Sequence, residues 1–516
     1  MGRRRIYPYR RDLAPQLRGE SYGVRVSNES SLTMPNVDLF YVALAILVLG
    51  MMYAAFTRPV NAVYAYLAVI FFFPTVNWGL AAGVEAMNLY SRGTGLFYFS
   101  VVNLYLFAIF LLGVFYWKQR NPGLEACNIG KYFWFFTAWF AGNVAVGVAL
   151  GISPVEIFKQ RGVINLLNTG LLTTVLIRAV NTPREMERFT QLILWCGALR
   201  GGFGVLRFIF GHGDIANVYE NVQHAGIKLT FFDINDSLLA CVAGFIAAWR
   251  LFERDATMPK RFMYLSLLLL ELVIAVFSYR RTAWGGMAMA AVLFCTLQPL
   301  RYRIPLFVGG VVAGGAGLTI LIAQRFTKVS SGRGILDMLF YDVGGKASEG
   351  RFAELVPAFH VVLEHPVLGI GSWGGYGLGG SIEFMHSGLL HIWLRTGLLG
   401  LVPFILMFFS YFWFCWRVRK QIPRSHRGLF EAGLAGLIFT LPTHIFGTPV
   451  IEFRTMQSLG FCLALPYIVY GIYGPQRSSF NKMAATATRN SNSDSGVLSL
   501  GNKVAAGTCE PPPSAI

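Results

Sequence analysis

The residues best able to do chemistry lie between Arg280 and Gly400. His386 stands where a polar, glycine-rich stretch gives way to an apolar run. A neutral imidazole at such a boundary, partly desolvated and titrating near neutral pH, can take a proton from an attacking hydroxyl. Arg351 precedes it in the same polar stretch, and Arg280 and Arg281 interrupt two apolar runs. Guanidiniums converging from separate segments suit a diphosphate, because each offers planar, bidentate, charge-assisted hydrogen bonds to its oxygens. His360 and His365 are weaker candidates, and His365-Pro366 reads as a helix-to-turn boundary. The glycines between Gly369 and Gly380 permit tight turns and close approach to a ligand. Gly369-Ile370-Gly371 is no nucleotide motif, because no βαβ pattern surrounds it. Each candidate also has a purely structural reading: a satisfied histidine at a helix start, or arginines that snorkel to an interface.

The elements that must position these residues are membrane helices. Of 516 residues 54% are hydrophobic and only 14% charged, where a soluble protein carries about 25% charged; the mean hydropathy is +0.51. The deficit is concentrated in apolar runs of about 20 residues, the length that crosses a bilayer. The fold class expected is an all-α polytopic bundle of about 12–13 transmembrane helices. The boundaries expected are a basic N-terminal tail (1–36), N-terminal helices (37–323), one large external loop (324–385), C-terminal helices (386–473) and a disordered polar tail (474–516). Within the loop, Phe352 to Glu364 has a helical pattern. The net charge of +18 does not point to nucleic acid, because Lys and Arg collect in short stretches between apolar runs. The seven cysteines are scattered and form neither a zinc pattern nor a CxxC motif. No cleavable signal peptide is evident, since the first apolar run is long enough to span.

The most basic short connection, from Trp416 to Arg427, orients the chain with that connection cytoplasmic. The loop that ends at His386, and the Arg280-Arg281 pair, then fall on the opposite side, where positive charge is disfavoured and asks for a reason. Thirteen crossings would put the N-terminus outside, against its seven arginines, which marks one early segment near Asn61–Asn88 as miscounted.

On these residues the chain resembles a known family. His386-Ser387-Gly388-Leu389-Leu390 followed by Gly397-Leu398-Leu399-Gly400 is similar to the His-Asn-x-Tyr-Leu…Gly-Leu-x-Gly signature of bacterial O-antigen ligases and related polysaccharide polymerases. Gly350-Arg351 with His365-Pro366-Val367-Leu368-Gly369-Ile370-Gly371 resembles that family's Arg…Pro-Leu-Leu-Gly-x-Gly stretch. Ser278-Tyr279-Arg280-Arg281-Thr282-Ala283-Trp284 resembles its Ser-Arg-Gly-Ala-Trp helix start, with Arg281 the better match, and Asn235-Asp236-Ser237-Leu238-Leu239-Ala240 its Pro-Asn-x-Leu-Ala motif. Ser387, His391 and Arg395 depart from the residues common in the family, which bears on the acceptor more than on the reaction class.

The resemblance implies a glycosyltransferase in the bacterial inner membrane, with its active loop on the periplasmic side. Its donor would be an undecaprenyl-diphosphate-linked glycan and its acceptor a growing glycan or lipid A–core. Carried over by motif, His386 is the base, Arg281 and Arg351 hold the donor diphosphate with Arg280 beside them, and no metal or other cofactor is required. Membrane lipids, a flippase and chain-length or export proteins are the partners implied. Ligase and polymerase both remain open, as do two other classes. A lipid-linked glycan transporter would show internal repeats or polar groups at the midplane, and a non-catalytic export subunit would need neither His386 nor the arginines.

Overall fold

A computed structural model describes residues 46, 49–54, 56–72, 101–117, 121–152, 162–214, 228–253, 256–278, 280–328, 347–373, 387–447, 450 and 452–494, with backbone only at 101, 313, 318 and 453 and over 320–328, 347–354 and 475–494. The basic N-terminal tail, the loop residues 374–386 and the last residues of the polar tail lie outside this set. From Met51 onward the described chain is helical, with no strand among the described residues. The helices are α1 (Pro59–Phe72), α2 (Val101–Tyr116), a single turn α3 (Pro122–Glu125), α4 (Gly130–Ala149), α5 (Gly162–Ala179), α6 (Pro183–Phe210) and α7 (Ile234–Leu251). They continue as α8 (Met258–Phe277), α9 (Arg281–Leu297), α10 (Leu300–Lys328), α11 (Ala347–Glu364), α12 (Gly388–Val418), α13 (Arg427–Phe446) and α14 (Phe453–Asp494). Seven spans among the described residues are long and apolar enough to cross a bilayer, on α4, α5, α6, α7, α12, α13 and α14. The chain is an all-α integral membrane bundle, as its composition requires.

Polar residues at the ends of the apolar runs start the helices. Thr182 accepts from the Glu185 amide (3.2 Å) just ahead of Pro183. Asp233 accepts from Asn235 (2.9 Å), and Ser387 from Leu390 (3.4 Å). Each cap satisfies an amide that the first helical turn leaves without a partner.

The buried axis is α14. Nearly nine-tenths of its apolar span is enclosed, against about four-tenths for α12, so α14 is wrapped by protein while α12 keeps one face for lipid. It crosses α5 at Gly460, where a Cβ would lie 2.8 Å from the Thr169 carbonyl. The absent side chain lets the Thr169 and Thr173 hydroxyls reach the carbonyls of Met456 (2.8 Å) and Gly460 (3.1 Å), a small-residue contact of the kind that substitutes for hydrophobic drive within lipid. Outward faces carry exposed apolar side chains, among them Phe107, Trp195, Phe307 and Trp416.

Antiparallel packing decides which helix ends meet. Gly286 of α9 lies against the Phe439 carbonyl of α13, and Gly285 is nearest Pro442. The His444 ring of α13 lies 5.8 Å from Phe404 and 5.4 Å from Phe408 of α12. The starts of α9 and α12 and the close of α13 therefore share one end of the bundle, here the loop end. The connection from Arg417 to Arg427 lies at the other, the basic end. Within the large loop, α11 begins at Ala347, five residues before the expected helix, and its Ala358 and Val362 pack on Leu394 of α12.

Candidate functional site

The loop end holds two constructions, one around the start of α9 and one around the start of α12. In the first, α8 closes at Phe277 and the chain turns through Ser278, whose Oγ donates to the Ala275 carbonyl (2.8 Å). The Trp284 indole N–H reaches back to the carbonyls of Ala275 (3.1 Å) and Val276 (3.2 Å). Serine and tryptophan of the Ser-x-Arg-Arg-x-x-Trp stretch thus set the turn that presents the arginines. Arg280 is the N-cap residue of α9 in extended backbone, and Arg281 is the first helical residue. Both are half-buried. The Arg280 guanidinium lies 4.2 Å from the Phe232 ring, a cation–π contact that leaves its hydrogen-bonding edge available.

Beneath these arginines lies an ion network that individual motifs did not reveal. Asp236 accepts a bidentate pair from Arg200 (3.0 and 3.1 Å) and a further bond from Arg454 (2.8 Å). Arg454 also donates to Asp233 (2.8 Å) and to the carbonyls of Ile70 (2.8 Å) and Phe71 (2.9 Å), while Arg200 takes the Phe72 carbonyl (3.1 Å). Two arginines from α6 and α14 therefore hold the last carbonyls of α1 against the acidic start of α7. Asn235, beside Asp236 in the Asn-Asp motif, donates to Thr455 (3.1 Å), which donates to Glu452 (2.7 Å). Surrounding protein and the neighbouring Asp233 raise the Glu452 carboxyl above its ordinary value, against the bond from Thr455 and the charge of Arg280. A signal for the network was present: Arg200 and Arg454 stand inside or beside apolar runs, where a charge needs a partner.

The second construction joins the two halves of the His…Gly-Leu-x-Gly and Pro-x-Leu-Gly-x-Gly motifs. At Gly397 α12 breaks (φ 63, ψ −167), a backbone region open essentially to glycine alone. The break frees carbonyls on one side and amides on the other, and the Pro366–Gly371 segment takes both. Ile370 and Gly371 donate to the carbonyls of Leu394 (2.8 Å) and Arg395 (3.0 Å). Leu398 and Leu399 donate to those of Pro366 (2.9 Å) and Val367 (3.2 Å). The Trp139 indole of α4 caps the Thr396 carbonyl (2.9 Å) and the Trp393 indole that of Pro366 (3.0 Å). Gly369 (φ 69) and Gly371 (φ 100) give the segment its bend. Gly369 and Gly371 thus make tight turns, and the segment they bend closes as a clasp on α12.

Of the four residues singled out by sequence, Arg280 and Arg281 lie together at the start of α9. Arg351 lies on α11, two turns before the Ala358 that packs on α12; its side chain is outside the described set. His386 also lies outside it, next to Ser387, the N-cap of α12. His391 and Arg395 follow one and two turns into α12 and are fully buried, with the Arg395 guanidinium 3.5 Å from the Trp373 carbonyl. They belong to the clasp's interior.

With this geometry described, comparison with known proteins adds one finding. Residues 265–405 match the family model described as O-antigen ligase. The matched stretch runs from within α8 to just past the break in α12, and so contains both arginine-bearing elements, the clasp and position 386. No curated protein matches the chain.

Proposed function

We propose, from the match of residues 265–405 to the O-antigen ligase family model, that the chain transfers or polymerises an undecaprenyl-diphosphate-linked glycan at the periplasmic face of the inner membrane. An acceptor hydroxyl attacks the anomeric carbon, His386 takes its proton, and the bond from that carbon to the diphosphate oxygen breaks. Arg281 and Arg351, with Arg280 beside them, stabilise the charge on the departing undecaprenyl diphosphate. Guanidiniums can serve here where other enzymes use a metal ion, because donors aimed at developing charge in a dry site lower the barrier directly. A single displacement inverts the anomeric centre.

The observation that carries this reading is the clasp. It ties the segment after Arg351 to the helix that starts beside His386, at the same end of the bundle as Arg280 and Arg281. On this reading a base and diphosphate-binding arginines from three segments act together at one membrane edge, where a lipid-linked donor presents its diphosphate. The basic connection at the far end supports placing this edge outside the cytoplasm.

The test is His386→Ala in the producing cell at matched membrane abundance. The expected outcome is loss of surface glycan with lipid-linked glycan accumulating. Single repeats in the accumulated pool indicate a polymerase, long chains a ligase. Normal polymer from a well-expressed variant would remove His386 as the base.

A further inference from the structure

A cavity at the basic end, remote from the clasp, has the chemistry of a phosphate site. It measures ≈ 690 Å³ and lies among the basic-end portions of α6, α7, α9, α10, α13 and α14, within the usual range for small-ligand pockets. Three of its wall residues are engaged with one another: Arg250 bridges Glu187 and Glu253, at 3.0 Å to the latter, one guanidinium shared by two carboxylates. Arg301 and Arg424 are different. Both line the cavity and are exposed, and neither makes an ion pair among the described residues. Arg301 lies 4.4 Å over the Tyr302 ring, which fixes its guanidinium without consuming its charge.

The backbone adds to the positive balance. The start of α13 lines the cavity through Gly428 and Leu429, and its N-cap, His426, makes no side-chain capping bond, so the helix dipole adds positive potential at that wall. The negative end of α9 is covered: Arg303 donates to the carbonyls of Thr296 (2.8 Å) and Gln298 (3.2 Å), and Arg419 to that of Leu297. Three arginines against two glutamates leave the wall with a net positive charge, and Arg301 and Arg424 are the guanidiniums it can offer an anion. Trp249, Phe252 and Tyr473 add aromatic faces to its wall, the last stacked on His426 at 4.0 Å. Beside the mouth, α10 turns Leu300, Ile304 and Phe307 outward, each more than half exposed. That arrangement offers an apolar track leading away from a cationic pocket, the shape of an amphiphile with an anionic head.

We propose that this cavity binds the phosphate group of an anionic phospholipid, with Arg301 and Arg424 on the phosphate and the acyl chains along α10. The site is independent of the glycan-transfer reading and stands or falls separately from it. The same phosphate chemistry could be offered by a soluble anion, which the experiment separates.

The full chain is purified, stripped of lipid, and titrated with mixed micelles containing phosphatidylglycerol or phosphatidylcholine while its thermal midpoint is followed. Two arginines near the bilayer surface favour the anionic over the zwitterionic headgroup by about thirtyfold. Arg301→Gln/Arg424→Gln should abolish that preference, and Arg424→Gln alone should reduce it. Lys260→Gln/Arg417→Gln, which removes two exposed charges elsewhere at the same end, should keep it. Equal loss in both double variants would show only diffuse surface attraction and overturn the site. A shift produced by inorganic phosphate that blocks the phosphatidylglycerol effect would assign the cavity to a soluble anion and overturn the lipid. Equal response to the two lipids in the unaltered protein would overturn the proposal entirely.

Discussion

At the scale of single residues, the arginines at the start of α9 are distinguishable by their surroundings. Arg280 lies over the face of Phe232, whereas Arg281 occupies the first helical turn, where the backbone amides also favour an anion. Arg281→Gln should lower kcat/KM for the lipid-linked donor by about 10²–10³, the usual cost of removing one donor to a developing oxyanion. Arg281→Lys should recover only part of the loss, since an ammonium cannot make the bidentate bond. Steady-state kinetics on reconstituted protein with a fixed acceptor checks this; activity unchanged in Arg281→Gln would exclude the arginine from the diphosphate. His391 and Arg395, conspicuous in sequence as departures from the family pattern, are enclosed beneath the clasp, which is where their influence on the acceptor would have to act.

At the scale of elements, the break in α12 and the network beneath α9 make separate demands. Gly397→Ala puts a side chain into a backbone region that costs roughly 1–3 kcal/mol for any other residue, and its Cβ would also meet the Val367 carbonyl. The expected result is a lower thermal midpoint and faster proteolysis within 366–373, together with loss of glycan product. A Gly397→Ala protein with unchanged midpoint and activity would show that the clasp is dispensable. Asp236→Asn tests the other construction. Asp236 serves two buried arginines, and leaving buried charge uncompensated costs about 3–5 kcal/mol, so the variant should fail to accumulate in the membrane or melt far below the parent protein. Thermal melting in detergent measures it. Replacing Arg200 by Met at the same time should recover part of the loss, because the remaining pair is again balanced by charge count.

At the scale of the whole molecule, the expectation concerns sidedness. A cysteine at Ser381, in the loop, should react with an impermeant maleimide from the periplasm, and one at Ser425, in the basic connection, only after permeabilisation. The reverse pattern would invert the orientation and remove the periplasmic reaction. Most of the architecture was legible beforehand, because crossing a bilayer demands apolar runs of a set length. Every helix from α1 to α14 that is long enough to cross falls on such a run. The motifs likewise pointed to the elements that matter, since an arginine or histidine at the edge of an apolar run is expensive enough to need a cause. What the chain could not disclose in one dimension was partnership. The run of Pro366 to Gly371 reads in sequence as a turn with no stated partner, until Gly397 is seen to open α12 and share four hydrogen bonds with it. Arg200, Asp236 and Arg454 are isolated charges in sequence and one network in space. Hydropathy is a sum over neighbours along the chain, so the amino-acid order by itself determined which segments enter the membrane. Hydrogen bonds and ion pairs join atoms distant along it, so only the tertiary structure decided which polar groups meet there.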